Sequence, residues 1–291
     1  MHVPFRRIPT EKLIPKNSDD YVDTGLLANL ECLSWGNPLI LKGPKGTGKT
    51  LSIEEYCAKH SIPLIRLNCN SETDSSHLIG RYLMAGEEVF FSLGAITTAI
   101  DVANEEGGAV LCLEEINTLR PEMQSAVFSV SDYRQSVEDP ASGKVFKTLA
   151  ACRLWVVGTM NPGYGGTYTL NEALRSRFDY FQVPYMDTES EKRVLEDALS
   201  TPPGVSERRM INGIINIAKE TRGGKWEYAL STRDLVHFIN TYEKFGREET
   251  GLQKSLKMLE WKLDAEYTDD FRARVESAFR VNLAEVNPLG G

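Results

Sequence analysis

A glycine-rich segment, Gly43-Pro44-Lys45-Gly46-Thr47-Gly48-Lys49-Thr50, has the residue types and the spacing of a phosphate cradle. In such a segment, consecutive backbone N–H groups and the positive end of the following helix bind phosphates. The glycines permit positive φ angles and close backbone approach. Lys49 can reach the β- and γ-phosphates, and the hydroxyl of Thr50 can bind magnesium. The residues predicted to bind a nucleotide are Gly43, Pro44, Lys45, Gly46, Thr47, Gly48, Lys49, Thr50 and Leu51.

Two consecutive acids follow an apolar run later in the chain. Glu114 and Glu115 come directly after the run at 109–113, and the alternation of a strand points their side chains in different directions. One carboxylate can hold magnesium, directly or through water, while the other orients and activates an attacking water. We assign the metal to Thr50 and Glu114 and the water to Glu115; the alternative is two solvated acids at a strand end. Aspartate is more usual than glutamate at the metal position, so the metal geometry and the turnover rate stay open.

Short apolar segments alternate with helical patterns over the first part of the chain. The predicted strands are residues 37–41, 63–68, 109–113, 154–157 and 180–183, and the predicted helices are 49–58, 92–103 and 121–130. Strands that alternate with helices indicate a mostly parallel sheet covered on both faces. The glycine-rich segment then lies between a strand and a helix, which argues against a chance glycine-rich turn.

Two stretches interrupt this alternation and have the pattern of β-hairpins inserted into an α/β core. They are residues 81–91, with a turn at 85–87, and residues 136–148, with a turn at 139–143. After residue 199 the strand patterns stop, a linker-like segment occupies 201–204, and apolar residues then recur at helical spacing. We predict an α/β nucleotide-binding domain over 1–199 and a small all-helical domain over 200–291, with a frayed tail at 287–291.

The composition excludes several classes of protein. Lys and Arg number 33 against 41 Asp and Glu, and the net charge of −8 argues against a duplex binder with a large basic surface. The five cysteines and four histidines lack metal-binding spacing, so any metal should arrive with a ligand, and the cysteines are expected in the core. Neither a membrane span nor a signal peptide is evident, so we expect a cytoplasmic protein with no membrane partner.

Two further segments carry a family resemblance. They are Gly158-Thr159-Met160-Asn161-Pro162-Gly163-Tyr164-Gly165-Gly166-Thr167 and Leu170-Asn171-Glu172-Ala173-Leu174-Arg175-Ser176-Arg177-Phe178. With the glycine-rich segment and the paired acids, they make residues 36–245 resemble the AAA+ ATPases, most closely the MoxR-type branch with CbbQ, NorQ and the gas-vesicle protein GvpN. The resemblance implies a P-loop AAA+ core with inserted hairpins, followed by a helical lid.

The resemblance also implies roles for four residues. Asn161 matches sensor 1, which helps position the hydrolytic water, although an Asn-Pro turn is the alternative. Arg177 resembles the arginine finger that reaches the γ-phosphate of a neighbouring subunit, and Arg175 is either a second finger or part of an interface ion pair. Arg233 resembles sensor 2, which contacts the nucleotide from the lid, or it is simply an exposed arginine in the first turn of a helix that Ser231 caps.

The function that the resemblance implies is ATP-driven remodelling of a partner protein. ATP and Mg2+ would be the cofactors, the assembly would be a homo-oligomer, commonly a hexameric ring, and the partner a von Willebrand factor A-type protein. The hairpins would face the pore or the substrate unless their aromatics pack on the core; the candidates for contact are Tyr82, Phe90, Phe91, Lys144, Val145 and Phe146.

Two other functions remain open from the sequence. A nucleotide-gated scaffold with little turnover is kept open by Glu114. A nucleic-acid motor is disfavoured by the acidic balance and by the absence of a recognisable pair of DNA-binding helices.

Overall fold

The computed structural model describes residues 10–18, 21–163, 165–224, 226, 228–263 and 267–279, and contacts divide the chain into two units. The first unit contains the described residues up to 183, except 21–24 and 45–47, which group with the residues from 184 onward in the second unit. This division falls earlier than the predicted boundary at 199/200, because Leu195 and Leu199 belong to the apolar core of the second unit.

A five-stranded parallel sheet forms the centre of the first unit, which confirms the predicted α/β fold. Its strands are β1 (Leu39–Lys42), β2 (Leu64–Asn68), β5 (Gly108–Glu114), β8 (Arg153–Met160) and β9 (Asp179–Gln182), and their spatial order is β2-β5-β8-β1-β9. All neighbouring strands in this sheet pair in parallel. The carboxyl ends of the strands therefore meet at one edge, where an α/β sheet usually carries its ligand site.

Both faces of the sheet are apolar, because successive residues of a strand alternate between them. One face buries Ile40 and Leu111 together with residues of α4 (Ala95–Glu106) and α5 (Pro121–Phe128). The other face buries Leu41, Cys112 and Trp155 together with residues of α1 (Leu26–Leu33) and α2 (Lys49–Lys59). Shorter turns complete the unit: 3-10 turns at Thr10–Leu13 and Ile116–Thr118, and the helices α3 (Ser75–Leu78) and α6 (Glu172–Arg175).

The two predicted hairpins are confirmed, and each forms its own two-stranded sheet. The first pairs β3 (Gly80–Ala85) with β4 (Glu88–Leu93), and the second pairs β6 (Ser136–Glu138) with β7 (Val145–Lys147). The rings of Phe91 and Phe146 stack with centroids 5.6 Å apart, and Tyr82 donates a hydrogen bond to Asp139 at 3.2 Å. These contacts join the hairpins although they are far apart in the chain.

Five helices form the described core of the second unit. They are α7 (Thr188–Asp197), α8 (Val205–Thr221), α9 (Thr232–Lys244), α10 (Glu249–Glu260) and α11 (Thr268–Phe279). Their apolar faces meet in one cluster that includes Ile214, Phe238 and Phe271. No helix in the described ranges is long and apolar enough to span a membrane. The predicted frayed tail at 287–291 lies outside the described residues.

Candidate functional site

The phosphate loop follows β1 at the carboxyl edge of the sheet, and its glycines are required by their positions. Gly43 donates a backbone hydrogen bond to Met160 at 3.1 Å, and a Cβ atom added to Gly43 would lie 2.0 Å from the carbonyl oxygen of Val183. Gly46 and Gly48 have φ angles of 70° and 79°, which side chains rarely permit. The predicted uses of these glycines are therefore confirmed: Gly46 and Gly48 adopt positive φ angles, and Gly43 permits close approach of the backbone.

The lysine of the loop is held inside it. Helix α2 begins at Lys49, whose Nζ atom donates to the carbonyl oxygens of Gly43 at 2.9 Å and Pro44 at 2.6 Å. The side chain is buried. A buried ammonium beside the amino end of a helix makes this corner of the sheet electropositive, as an anionic phosphate requires.

The two acids at the end of β5 face different neighbours, as predicted. An oxygen of Glu114, Oε2, lies 3.5 Å from the Thr50 hydroxyl oxygen. Glu115 instead accepts a hydrogen bond on Oε1 from Asn161 Nδ2 at 3.0 Å. Lys49, Thr50, Glu114, Glu115 and Asn161 are thus brought to one edge of the first unit.

The backbone of Glu115 has an unusual conformation. Its φ and ψ angles are 53° and 44°, in the left-handed region that residues other than glycine seldom adopt. The Glu115 N–H donates to the hydroxyl oxygen of Thr159 at 3.1 Å. Such conformations concentrate at functional sites, and here the hydrogen bond from β5 to β8 helps to hold it.

Two residues that sequence reasoning missed connect the segment around the paired acids to β8 and to the loop that follows it. One is Thr159, through the bond to Glu115. The other is the buried Asn117, which donates from Nδ2 to the carbonyl oxygen of Asn161 at 3.1 Å. Its own carbonyl oxygen accepts from Tyr168 at 2.6 Å. The sequence does show a polar residue, Asn117, three positions after Glu114, but the residues that it contacts can be identified only from the strand order.

The oxygen set suits magnesium. Hydroxyl and carboxylate oxygens are the donors that Mg2+ prefers, and Thr50 and Glu114 supply both. Among the described residues, no group of three or more His, Cys, Asp or Glu side chains could hold a metal ion.

Burial, with smaller contributions from the charges of Glu114 and Glu115, raises the pKa of the nearby Cys69 thiol to about 12, so this thiol stays neutral. Cys57 and Cys112 are also buried, whereas Cys32 is exposed, so the core prediction is wrong for Cys32.

Arg177 lies away from the phosphate loop of its own chain. It lines a cavity of about 420 Å³ together with residues 36–38, which precede β1 and so mark the amino end of that strand. Its Nε atom is 3.7 Å from Asp132 Oδ2, and its Nη1 atom donates to the Ala173 carbonyl oxygen at 2.5 Å. Hydrogen bonding from Arg134, aided by the charge of Arg177, lowers the pKa of Asp132, so its carboxylate is charged at neutral pH.

Arg175 occupies a different environment from Arg177. It is exposed and lines a cavity of about 530 Å³ with Lys42, Asn117 and Met160, near the carboxyl edge of the sheet. Burial raises the pKa of Tyr180, while the charge and hydrogen bond of Arg175 oppose that rise. The choice between a second finger and an interface ion pair therefore stays open.

In the second unit, the helix start that carries Arg233 is confirmed. Ser231 caps α9 and shares a capping box with Asp234, and Arg233 is exposed in the first turn. A Cβ atom added to Gly46, which groups with this unit, would lie 2.7 Å from Ser231 Cβ and 3.3 Å from the Arg233 nitrogen. Within this unit, the backbone before Arg233 therefore packs against Gly46.

The hairpin residues divide between the two alternatives that the sequence left open. Phe91 and Phe146 are buried in the core, as the alternative for aromatics states. Tyr82 and Val145 expose 39% and 57% of their surface, so these two remain candidates for contact with a partner. Met84, which the sequence did not single out, is 75% exposed beside Val89 at the tip of the first hairpin. Tyr164, quoted in the motif above, lies outside the described residues.

Comparison with known proteins agrees with this site. A family profile described as the AAA domain of the dynein-related subfamily matches residues 38–178. An uncharacterized protein of Staphylococcus haemolyticus is 32% identical over 232 residues, which cover 76% of this chain and 82% of the relative. The uncharacterized protein YojN of Bacillus subtilis is 29% identical over 209 residues, which cover 70% of this chain and 66% of the relative. A solved structure from Cytophaga hutchinsonii aligns with 96% of this chain and 92% of that chain at 17% identity, with a TM-score of 0.46.

The chain belongs to the AAA+ ATPase family. The matched residues include the phosphate loop from Gly43 onward, both acids, Asn161 and the two arginines near residue 176. Both the family membership and the geometry of the phosphate loop indicate that the protein binds a nucleotide. The predicted resemblance to AAA+ ATPases is therefore confirmed at the level of the family.

Proposed function

We propose that this protein hydrolyses ATP at the carboxyl edge of its sheet. The observation that carries the proposal is the hydrogen bond between Asn161 and Glu115, 3.0 Å long, beside the phosphate loop. In this proposal the backbone of the loop and Lys49 bind the phosphates. Glu115 takes a proton from the attacking water, and Asn161 holds the carboxylate in position for that transfer.

Thr50 and Glu114 would hold magnesium in this proposal. When bound with ATP, the ion would neutralise part of the phosphate charge. Glu114 has one carboxylate oxygen 3.5 Å from the Thr50 hydroxyl, so the longer side chain reaches the position that an aspartate usually fills.

We propose further that the site is completed by another subunit. The phosphate loop follows the carboxyl end of β1, whereas Arg177 lies by the residues that precede its amino end. An arginine at the opposite end of the strand from its own loop would contact the phosphate of a neighbouring subunit. The active form is then a homo-oligomer, and a hexameric ring is the arrangement that the MoxR-type resemblance suggests.

The work that hydrolysis drives is proposed to be remodelling of a partner protein, as in the MoxR-type branch. Support comes from the two inserted hairpins, which are joined to each other and present exposed Tyr82, Met84 and Val145. Exposed apolar side chains on such hairpins suit contact with another polypeptide. A von Willebrand factor A-type protein is the partner that the resemblance suggests.

The test of the proposed chemistry uses two lysines on one helix. Lys49→Ala should abolish ATP binding and turnover. Lys59→Ala, at the exposed end of α2 where Lys59 pairs with Glu31, should leave both unchanged. Equal ATP affinity in the two variants, measured by calorimetry, would overturn the proposed site.

One feature favours a second candidate, a nucleotide-gated scaffold with little turnover. Glu114 replaces the usual aspartate and lies within 3.9 Å of a positive charge, Arg66 Nε. Both properties would weaken metal binding. A scaffold would bind ATP tightly, assemble with it, and hydrolyse less than about one ATP per minute, well below typical enzyme turnover.

A further inference from the structure

We propose that Arg66 is a positioning residue that sets the magnesium affinity of the ATP site by sharing its charge between Glu54 and Glu114. The inference rests on the proposed function, because it concerns the metal end of that site. Arg66 Nε lies 3.9 Å from Glu114 Oε1, and its Nη1 atom pairs with Glu54 Oε1. The guanidinium thus stands between a carboxylate of α2 and the carboxylate proposed to hold the metal.

The register of the sheet explains why Arg66 meets Glu114. Arg66 on β2 lies opposite Cys112 on β5, and Asn68 lies opposite Glu114. Residues two apart on a strand share a face, so Arg66 and Glu114 are diagonal neighbours on one side of the sheet. The face is the one that packs on α2, which carries Glu54.

The two oxygens of Glu114 lie beside different groups. Oε2 is the oxygen near the Thr50 hydroxyl, and Oε1 is the one near Arg66. A metal held by this carboxylate and a guanidinium beside it are two positive charges that compete for one negative charge. At the distances of a neighbouring pair, that competition weakens cation binding.

Glu54 determines how much of the charge of Arg66 reaches Glu114. It neutralises part of the charge of the guanidinium, because its oxygen is the closer of the two partners. Removing Glu54 leaves Glu114 as the remaining carboxylate that Arg66 contacts among the described residues. Removing Arg66 leaves Glu114 free for the metal. The two substitutions should therefore change magnesium affinity in opposite directions.

The side chains are partly solvated, which limits the size of the effect. Arg66 exposes 49% of its side chain, while Glu54 and Glu114 expose 26% and 24%. Water and salt screen such pairs, so a change of about three- to tenfold in magnesium affinity is expected rather than a complete loss.

The experiment measures binding rather than turnover. A fluorescent ATP analogue with a non-hydrolysable γ-phosphate linkage is titrated into the full chain at a series of magnesium concentrations and also in EDTA. Arg66→Gln should lower the magnesium concentration for half-maximal enhancement of binding by about three- to tenfold, and Glu54→Gln should raise it by a similar factor. Affinity in EDTA should change by less than about twofold in both variants, since the effect acts on the metal.

A double variant and a charge control make the test specific. In the Arg66→Gln background, Glu54→Gln should lose most of its effect, because its influence passes through the guanidinium. Lys59→Gln removes a positive charge from the same helix, where Lys59 pairs with Glu31, and should leave the magnesium dependence unchanged. Thermal unfolding without nucleotide should show that all variants are folded.

Three outcomes would count against the inference. An unchanged magnesium dependence in Arg66→Gln would overturn it while leaving the proposed function intact. A loss of affinity in EDTA as well as in magnesium would show that Arg66 binds phosphate instead. A parent protein with no magnesium-dependent nucleotide binding would overturn the proposed function together with this inference.

Discussion

Asn161 and Glu115 are joined by a hydrogen bond of 3.0 Å although 46 residues separate them in the chain. They follow neighbouring parallel strands, β8 and β5, so the sheet itself brings the amide to the carboxylate. The amide donates to one carboxylate oxygen of Glu115, and the left-handed backbone at that residue is held by Thr159. The arrangement orients an acid at the same edge of the sheet as the phosphate loop.

The first prediction concerns this acid. Glu115→Gln keeps the shape and the bond from Asn161 but removes the base, so ATP binding should persist while turnover falls at least about 100-fold. Binding is measured by calorimetry and turnover by phosphate release. Glu122→Gln, an exposed acid in the first turn of α5, serves as the control and should retain full turnover. Normal turnover in Glu115→Gln would remove the role assigned to this residue.

The second prediction tests the unusual glutamate at the metal position. Glu114 Oε2 already lies 3.5 Å from the Thr50 hydroxyl, so an aspartate, which is shorter by one methylene, offers no better reach. Glu114→Asp should therefore change turnover at saturating magnesium by less than about tenfold, or about 1.4 kcal/mol in the barrier. A gain well beyond that in the same steady-state assay would mean that the natural site is slow, which is the scaffold hypothesis.

The third prediction concerns the close approach at Gly43. An added Cβ would lie 2.0 Å from the carbonyl oxygen of Val183, a backbone atom that cannot move aside cheaply. Gly43→Ala should cost at least about 2 kcal/mol of unfolding free energy and weaken ATP binding, as measured by denaturant titration and calorimetry. Gly204→Ala is the control, because its Cβ would meet only the side chain of Glu207 at 3.7 Å. Equal stability of the two variants would contradict the close packing.

The fourth prediction concerns a buried ion pair in the second unit. Arg222 contacts both oxygens of Glu191 at 2.9 and 2.7 Å, and Thr232 also donates to Glu191 at 2.7 Å. Glu191→Ala leaves a buried arginine without its carboxylate partner and should cost about 3 kcal/mol or more in denaturant unfolding. Glu189→Ala removes an exposed acid from the same helix and should cost less than about 1 kcal/mol. A similar small cost for both would show that the buried pair contributes little.

Local patterns predicted most of the fold. The phosphate loop, the alternating strands and helices and both hairpins could be predicted because each is specified by neighbouring residues. The boundary between the units could not be predicted, because the sequence of α7 does not show which core the helix packs on. The structure places its Leu195 in the core of the second unit.

The site was predicted less completely than the fold, for a physical reason. Its residue types could be chosen at strand ends, but contacts across the sheet depend on strand order and register. Arg66 contacts Glu114 and Thr159 contacts Glu115 only because β2, β5 and β8 are neighbours in space, and the bond from Asn117 to Asn161 depends on the same strand order. Arg66 is the single arginine in the otherwise apolar start of β2, but the residue that it contacts could be identified only from the register of the sheet.

The position of Arg177 leads to the most direct test. Turnover per subunit should be measured by steady-state phosphate release over a wide range of protein concentrations with ATP and magnesium in excess. We predict a steep rise to a plateau, abolished by Arg177→Ala and preserved by Arg208→Ala, an exposed arginine of α8. Full turnover at the lowest concentrations that Arg177→Ala leaves unchanged would contradict a catalytic site shared between subunits.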